Sequence, residues 1–102
     1  MTSMPDRVSR YRLTPLAESD LEEIWLYTLR TWSREQADSY FHTLVVAFEG
    51  LAAGTKTGRL VEIREGYLKY NIGSHVVFYR QAGQTIDIIR ILHQRMDIGR
   101  HL

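Results

Sequence analysis

The sequence predicts a two-layer α+β fold, in which an N-terminal strand and an antiparallel helical hairpin pack on a small antiparallel β-sheet. Three observations predict it. Apolar side chains recur at helical spacing through residues 15–53, they alternate with polar ones before and after that region, and glycines divide the second half into strand-length segments. We therefore expect the element order β-α-α-β-β-β in a single domain spanning residues 1–102, a length that permits one hydrophobic core.

The first strand leads directly into the first helix. The segment RYRLT (10–14) alternates polar and apolar side chains, as a short strand does. Thr14 can cap the helix, and Pro15 suits its first position because the missing N–H removes no hydrogen bond there. Acidic residues in the first turns favour the positive end of the helix dipole. The predicted core-facing residues of this helix are Ala17, Leu21, Ile24, Trp25, Thr28 and Trp32.

The second helix follows almost without a linker, which predicts an antiparallel hairpin. Ser33 and Gln36 have the spacing of a capping box, and Gly54 can end the helix in a left-handed conformation. The predicted core stripe consists of Ala37, Tyr40, Phe41, Leu44, Phe48 and Leu51.

Glycines at 58, 66, 73 and 83 punctuate the remainder of the chain. Short connections between consecutive strands favour antiparallel pairing. The last two segments are apolar on both faces, so we expect them to be central, and the second segment is a possible extra strand. The four segments are RLVEIRE (59–65), YLKYNI (67–72), SHVVFYRQ (74–81) and QTIDIIRIL (84–92).

Charge is distributed unevenly along the chain. Residues 1–53 carry a net charge of −3 and residues 54–102 a net charge of +4, so we expect a negatively charged partner to meet the second half. The absence of cysteine excludes a disulfide scaffold. With no apolar leader and no apolar stretch near the ~20 residues of a bilayer span, we expect a cytoplasmic protein.

No motif in the sequence predicts a catalytic, cofactor or metal site. Serine lies in no strand-to-helix elbow, the four histidines have no metal-ligand spacing, and no phosphate-binding glycine loop is present. A nuclease stays open because residues of the required types occur, namely Glu62, Arg64, His75, Arg80, His93 and Arg95. For His75 we favour a hydrogen-bonded structural role, and for Arg90 an ion pair with an acid such as Asp87 or Glu62.

Surplus apolar side chains occur on the helical hairpin. At about 100° per residue, Leu26 and Tyr27 fall off the core face of the first helix, Leu29 lies at its margin, and Val46 lies opposite the stripe of the second helix. Several exposed apolar residues on so small a hairpin indicate a second face that a partner segment buries.

Three segments together resemble the ParE-type toxins of the RelE/ParE toxin–antitoxin superfamily: YRLTPLAESDLEEIWLYTLRTW (11–32), GSHVVFYR (73–80) and IIRILHQRMD (88–97). With the intervening EIREGYLKY (62–70), the resemblance covers most of the chain in the family's order. It implies a helical hairpin on a small sheet, and a toxin that poisons DNA gyrase and is neutralised by a ParD-like antitoxin.

The sister RelE branch consists of ribosome-dependent mRNA endonucleases, and this sequence departs from its pattern. The last tyrosine is Tyr79, and His75 stands where that branch has a sheet arginine. The resemblance therefore favours inhibition by binding, without catalytic residues. A RelE-like endonuclease is the alternative, and a binding module that has lost its target is a third.

The resemblance also suggests roles for two groups of residues. We expect the polar cluster after the last strand to bind the target, and the off-face apolar residues to bind the antitoxin; no sequence-specific nucleic-acid binding is expected. The target-binding candidates are His93, Gln94, Arg95, Met96 and Arg100, and the antitoxin-binding candidates are Leu26, Leu29 and Val46.

Overall fold

The computed structural model of the protein describes residues 10–62 and 64–102, and its elements follow the predicted order. Five strands form one sheet in the order β1-β5-β4-β3-β2, and both helices pack on one of its faces. This arrangement confirms the two-layer α+β fold and the extra strand. The elements are β1 (Arg10–Leu13), α1 (Pro15–Thr31), α2 (Arg34–Ala53), β2 (Arg59–Leu60), β3 (Tyr67–Ile72), β4 (His75–Ala82), β5 (Thr85–His93) and a 3-10 turn (Ile98–Arg100).

The sheet is mixed. Strands β2 to β5 pair antiparallel, as their short connections predict, whereas β1 runs parallel to β5 at the edge of the sheet. Strand β1 is separated from the other strands by the whole helical hairpin, so no tight turn fixes its direction. The short connections on which the antiparallel prediction rests therefore do not apply to β1.

The helix boundaries follow the predicted capping residues. The Thr14 hydroxyl accepts the backbone N–H of Ala17 at 3.0 Å, and the Ser33 hydroxyl accepts that of Gln36 at 3.0 Å. Gly54 ends α2 with φ of 85°, in the left-handed region. Among the described residues, neither helix is long and apolar enough to cross a membrane.

Two predicted core residues are instead exposed. Trp32 is 73% exposed because α1 ends at Thr31, and the backbone of Trp32 leaves the helical conformation. Phe41, on α2, is also exposed, whereas Ala47 of the same helix is buried. The face of α2 that packs on the core is therefore rotated slightly about the helix axis from the predicted one, away from Phe41 and toward Ala47.

The strand predicted over residues 59–65 is much shorter in the structure. Only Arg59 and Leu60 pair with β3, and Gly66 then turns the chain with φ of 84°. Val61 packs instead against buried residues on the sheet face that points away from the helices, called the open face here. Ile63 lies outside the described residues.

Each face of the sheet carries an apolar cluster. The larger lies against the helices and includes Phe48, Val77 and Ile88. The smaller lies on the open face and consists of Val76, Phe78 and Leu92, covered by Val61, Ile98 and Leu102. Strands β4 and β5 are therefore apolar on both faces, as predicted for central strands.

A bulge in β5 changes which side chains face the helices. Tyr79 pairs with Ile88 and Phe78 pairs with Arg90, so Ile89 is an extra residue in β5. Without it, regular alternation would place Ile88 and Ile91 on opposite faces. With it, both belong to the cluster against the helices.

An ion pair fastens α1 to the edge of β5. Arg90 donates from Nε and Nη2 to the two carboxylate oxygens of Asp20, at 2.7 and 2.8 Å, and the backbone N–H of Ile91 donates to the same carboxylate at 2.9 Å. Both side chains are largely buried. The ion pair predicted for Arg90 is confirmed, but its partner is Asp20 and not the suggested Asp87 or Glu62; Asp87 pairs instead with Arg12 and Arg80.

Replacing Asp20 by Asn should destabilise the fold strongly. The variant leaves the guanidinium of Arg90 buried without a countercharge, so we expect the free energy of unfolding to fall by about 3 kcal/mol. Urea denaturation measures it. The matched control is Asp38→Asn, which removes an exposed pair with Arg34 whose atoms lie 4.0 Å apart and should cost under about 1 kcal/mol. Equal losses in the two variants would contradict the role given to Asp20.

Candidate functional site

A groove lies between the helical hairpin and the ends of β4 and β5. Its volume is about 720 Å³, within the range of ligand and peptide sites. Four separate parts of the chain form it: α1, the start of α2, the β3–β4 turn and the segment that ends β5. It is lined by Asp20, Glu23, Ile24, Tyr27, Thr28, Trp32, Gln36, Tyr40, Ser74, His75, Ile91, His93 and Met96.

Exposed apolar side chains form the outer wall of the groove. Trp32 is 73% exposed, Tyr27 61% and Met96 46%, and all three line it. Large apolar side chains scattered singly over a surface are ordinary, whereas three around one concave site indicate that a partner covers them.

The floor of the groove carries a tyrosine and two histidines. The Tyr40 hydroxyl lies 2.7 Å from Nδ1 of His75, and it also accepts the backbone N–H of Ser74 at 3.3 Å. His75 and His93 face each other across β4 and β5, with ring centroids 5.4 Å apart in an edge-to-face arrangement. The hydrogen bond predicted for His75 is therefore confirmed.

The environment of His75 favours its neutral form. Partial burial lowers the pKa of His75, and the neighbouring His93 lowers it further, while the carboxylate of Asp20 acts in the opposite direction. Burial also raises the pKa of the Tyr40 hydroxyl. Both shifts favour the uncharged forms of Tyr40 and His75.

The charged groups that line the groove are acidic. Asp20 is held by Arg90, which leaves Glu23 as the exposed carboxylate at the rim. Within the part of the chain that the structure describes, no lysine or arginine belongs to the lining, and no three histidine or acidic residues come together as metal ligands. The groove suits an apolar segment, with or without a basic residue, better than an anion.

The predicted target-binding residues divide into two groups. His93 and Met96 line the groove. Gln94 is exposed, and its backbone N–H donates to the Ser74 carbonyl oxygen at 2.9 Å. Arg95 and Arg100 are exposed beyond the groove, in the turn after β5 and in the 3-10 turn.

The predicted antitoxin-binding residues lie elsewhere on the hairpin. Leu26 and Val46 are exposed and Leu29 is partly buried, but none of the three lines the groove. Sequence reasoning missed Trp32 and Tyr40 as groove residues, because helical spacing assigned both to the core. The departure of Trp32 from the helix, one residue before the Ser33 cap, is the signal that could have identified it.

Comparison with known proteins gives consistent matches. A family model described as the ParE toxin of the type II toxin–antitoxin system parDE matches residues 11–98. Toxin ParE1 of Mycobacterium tuberculosis is 49% identical over 96 residues, covering 92% of this chain and 98% of that protein. Toxin ParE1 of Caulobacter vibrioides is 43% identical over 93 residues, covering 90% of this chain and 96% of that protein.

Solved structures share the fold. A chromosomal ParDE toxin–antitoxin system from P. aeruginosa matches with a TM-score of 0.73 and 22% identity, over 83% of this chain and 95% of the other. The RelBE2 complex from Mycobacterium tuberculosis matches with a TM-score of 0.62 and 22% identity, over 84% of this chain and 98% of the other. Structural likeness alone therefore does not separate the two branches of the superfamily.

The lowered pKa of His75 predicts a pH dependence of stability. Below about pH 6.5 the unfolded chain takes up a proton at this position more readily than the folded protein, so the stabilisation present at neutral pH is lost as the pH falls. Urea denaturation at pH 7.5 and 5.5 should show a smaller loss of stability in His75→Asn than in the parent, because Asn can still hydrogen-bond to the Tyr40 hydroxyl but does not titrate. An identical loss in both proteins would contradict this assignment.

Proposed function

Because the chain belongs to the ParE toxin family of type II toxin–antitoxin systems, we propose that it inhibits DNA gyrase by binding to it and that a ParD-like antitoxin neutralises it. Membership of this family is the evidence for the role as a toxin. The choice of gyrase and of a ParD-like partner is inferred from that membership together with the character of the candidate site.

The groove is the observation that supports action by binding. Tyr, Trp and Met are enriched at protein–protein interfaces, where a few such side chains supply most of the binding free energy. Tyr27, Trp32 and Met96 bring these three residue types together around one concave surface. The lining is suited to contact with an apolar partner segment.

We assign the target and the antitoxin to neighbouring surfaces. The end of β5 and the residues after it combine cationic side chains with a flexible thioether, and we propose that they contact gyrase. These residues are His93, Gln94, Arg95, Met96 and Arg100. The apolar side chains of Leu26, Leu29 and Val46 on the hairpin are proposed to contact the antitoxin. Leu26 directly precedes the groove residue Tyr27 in α1, which supports neighbouring positions for the two proposed surfaces.

A RelE-like ribosome-dependent endonuclease is the second candidate, and one feature favours it. His75 is held neutral by burial beside Tyr40 and His93, which is a suitable state for a general base. Against it stands the charge of the site. Asp20 and Glu23 line the groove, and Arg90, the cation near the floor, is already bound by Asp20, so little there would stabilise a phosphate.

Arg95→Ala/Arg100→Ala should lose most of the inhibition of gyrase. We expect the double variant to require at least about tenfold more protein for half-inhibition of DNA supercoiling, because two exposed interface arginines together commonly contribute more than the 1.4 kcal/mol that a tenfold change represents. The charge-matched control, Arg30→Ala/Arg34→Ala, should inhibit like the parent.

Two outcomes of this assay would contradict different parts of the proposal. Full inhibition by the Arg95/Arg100 variant would exclude that cluster as the gyrase surface. No inhibition by the folded parent would exclude gyrase itself. Cleavage of mRNA on translating ribosomes by the parent, and its loss in His75→Asn, would then support the endonuclease.

Leu26→Asp/Val46→Asp should weaken binding to a candidate ParD-like antitoxin by at least about tenfold, because a carboxylate would lie in a desolvated apolar contact. Isothermal titration calorimetry measures the dissociation constant. Leu60→Asp is the matched control, since Leu60 is an exposed apolar residue that lies on neither helix but on β2, the edge strand paired with β3. If the double variant and the control bound as tightly as the parent, the antitoxin surface would lie elsewhere.

A further inference from the structure

The two layers of the molecule carry opposite charge. Within the described residues, the two helices contain seven acidic and two basic residues, a net charge of −5. The remainder contains ten basic and four acidic residues, a net charge of +6. The charges of −3 and +4 on the two halves of the sequence thus become, in the fold, a larger separation of −5 and +6 between the helices and the rest of the described chain.

A row of charged side chains crosses the open face. Arg12, Asp87 and Arg80 occupy paired positions on β1, β5 and β4, so their side chains point to the same side of the sheet. Nη2 of Arg12 lies 2.9 Å from one oxygen of Asp87, and Nε of Arg80 lies 3.7 Å from the other. A single carboxylate therefore lies between two guanidinium groups.

This row keeps a positive charge at its surface. The side chain of Asp87 is only 17% exposed, whereas those of Arg12 and Arg80 are 67% and 53% exposed. Asp87 offsets one of the two cationic charges and holds both guanidinium groups near the sheet. Both groups still have N–H donors directed to solvent, because a guanidinium carries five of them.

Further cations extend the row along the open face. Tyr67 on β3 pairs with Arg80 on β4. The guanidinium of Arg64 lies over the ring of Tyr67, 5.7 Å from its centroid. Lys69 and Arg59 are paired on β3 and β2. By strand alternation Arg10 shares the face of Arg12. The open face thus carries six basic residues and one acidic residue, Asp87. The net charge of this face is still +3 when Glu62 and Glu65 of the adjoining loop are included.

We propose that the open face of the sheet binds the phosphate backbone of duplex DNA. Exposed arginine and lysine side chains on a flat surface are the groups that neutralise phosphates and position a protein on a duplex without reading its sequence. The row from β1 to β3 crosses three strand spacings, about 14 Å at ~4.8 Å each, which is close to the ~12 Å width of the major groove of B-DNA. Its charges can therefore reach phosphates on both sides of that groove.

The same face is poorly suited to single-stranded nucleic acid. Recognition of single strands depends on aromatic side chains that stack on exposed bases. Among the described residues of the open face, Tyr67 is covered by Arg64, and Phe78 is fully buried under the residues that follow β2 and β5. Charge is therefore accessible there, whereas one aromatic ring is buried and the other is partly buried with a guanidinium over it.

Fluorescence anisotropy with a labelled 20-base-pair DNA duplex tests this surface directly, without gyrase or antitoxin. If about four phosphates are contacted, the affinity should fall on the order of 100-fold between 50 and 200 mM KCl. In Lys69→Gln/Arg80→Gln about two contacts are lost, so the affinity at 50 mM KCl should drop at least tenfold and the same salt increase should weaken binding only about tenfold.

The control variant, Arg30→Gln/Arg34→Gln, loses the same net charge from the helices and should bind the duplex like the parent. Circular dichroism verifies that both variants fold. An equal loss of affinity in the two variants would show that net charge alone is responsible and would overturn the proposal. So would no binding by the parent at 50 mM KCl, or tighter binding of a single-stranded RNA of equal length. None of these outcomes bears on gyrase inhibition, which is measured separately.

Discussion

The carboxylate of Asp20 holds the molecule together where its two layers meet. Strand β1 pairs with β5 only as far as Ile88, so the backbone groups beyond that point need other partners. The hydroxyl of Thr14 donates to the carbonyl oxygen of Ile89 while it caps α1, and Asp20, about one and a half turns further on, accepts the N–H of Ile91. The first turns of α1 thus supply hydrogen bonds to the backbone of β5 beyond the point where its pairing with β1 ends. Because the groove lies between α1 and the end of β5, its shape depends on this contact.

The bulge at Ile89 fixes the composition of the groove floor. One extra residue in β5 places His93, and not Leu92, opposite His75. Leu92 then lies in the cluster on the open face, beneath Ile98 and Leu102. The path of the chain after β5 depends on the same register, because Ile98 and Leu102 must reach that cluster. A single irregularity therefore positions both the histidine pair and the segment that carries the proposed target-binding residues.

Sequence reasoning succeeded where the cause is local and failed where it is not. Thr14, Ser33 and Gly54 mark helix ends through contacts within a few residues, so pattern alone locates them. The partner of Arg90 is 70 residues away, and nothing in the sequence favours Asp20 over nearer acids. The groove could not be predicted because four separate parts of the chain form it. Periodicity assigned Trp32 to the core because it could not show that α1 ends one residue earlier, at Thr31. The bulge at Ile89 likewise could not be predicted, because it lies within a run of apolar residues that all favour β-structure.

The residues after β5 contribute to both the groove and the open face of the sheet. Met96 lines the groove, while Ile98 and Leu102 cover the apolar cluster of the open face, and Arg64, which lies over Tyr67, donates to the carbonyl oxygen of Leu102 at 2.9 Å. A substitution in this segment can therefore act through either surface, and its effect alone does not identify which partner is lost. Trp32 belongs to the groove and Arg80 to the open face, and each is anchored in a different layer. Effects at those two positions separate contact with an apolar protein segment from contact with a phosphate backbone.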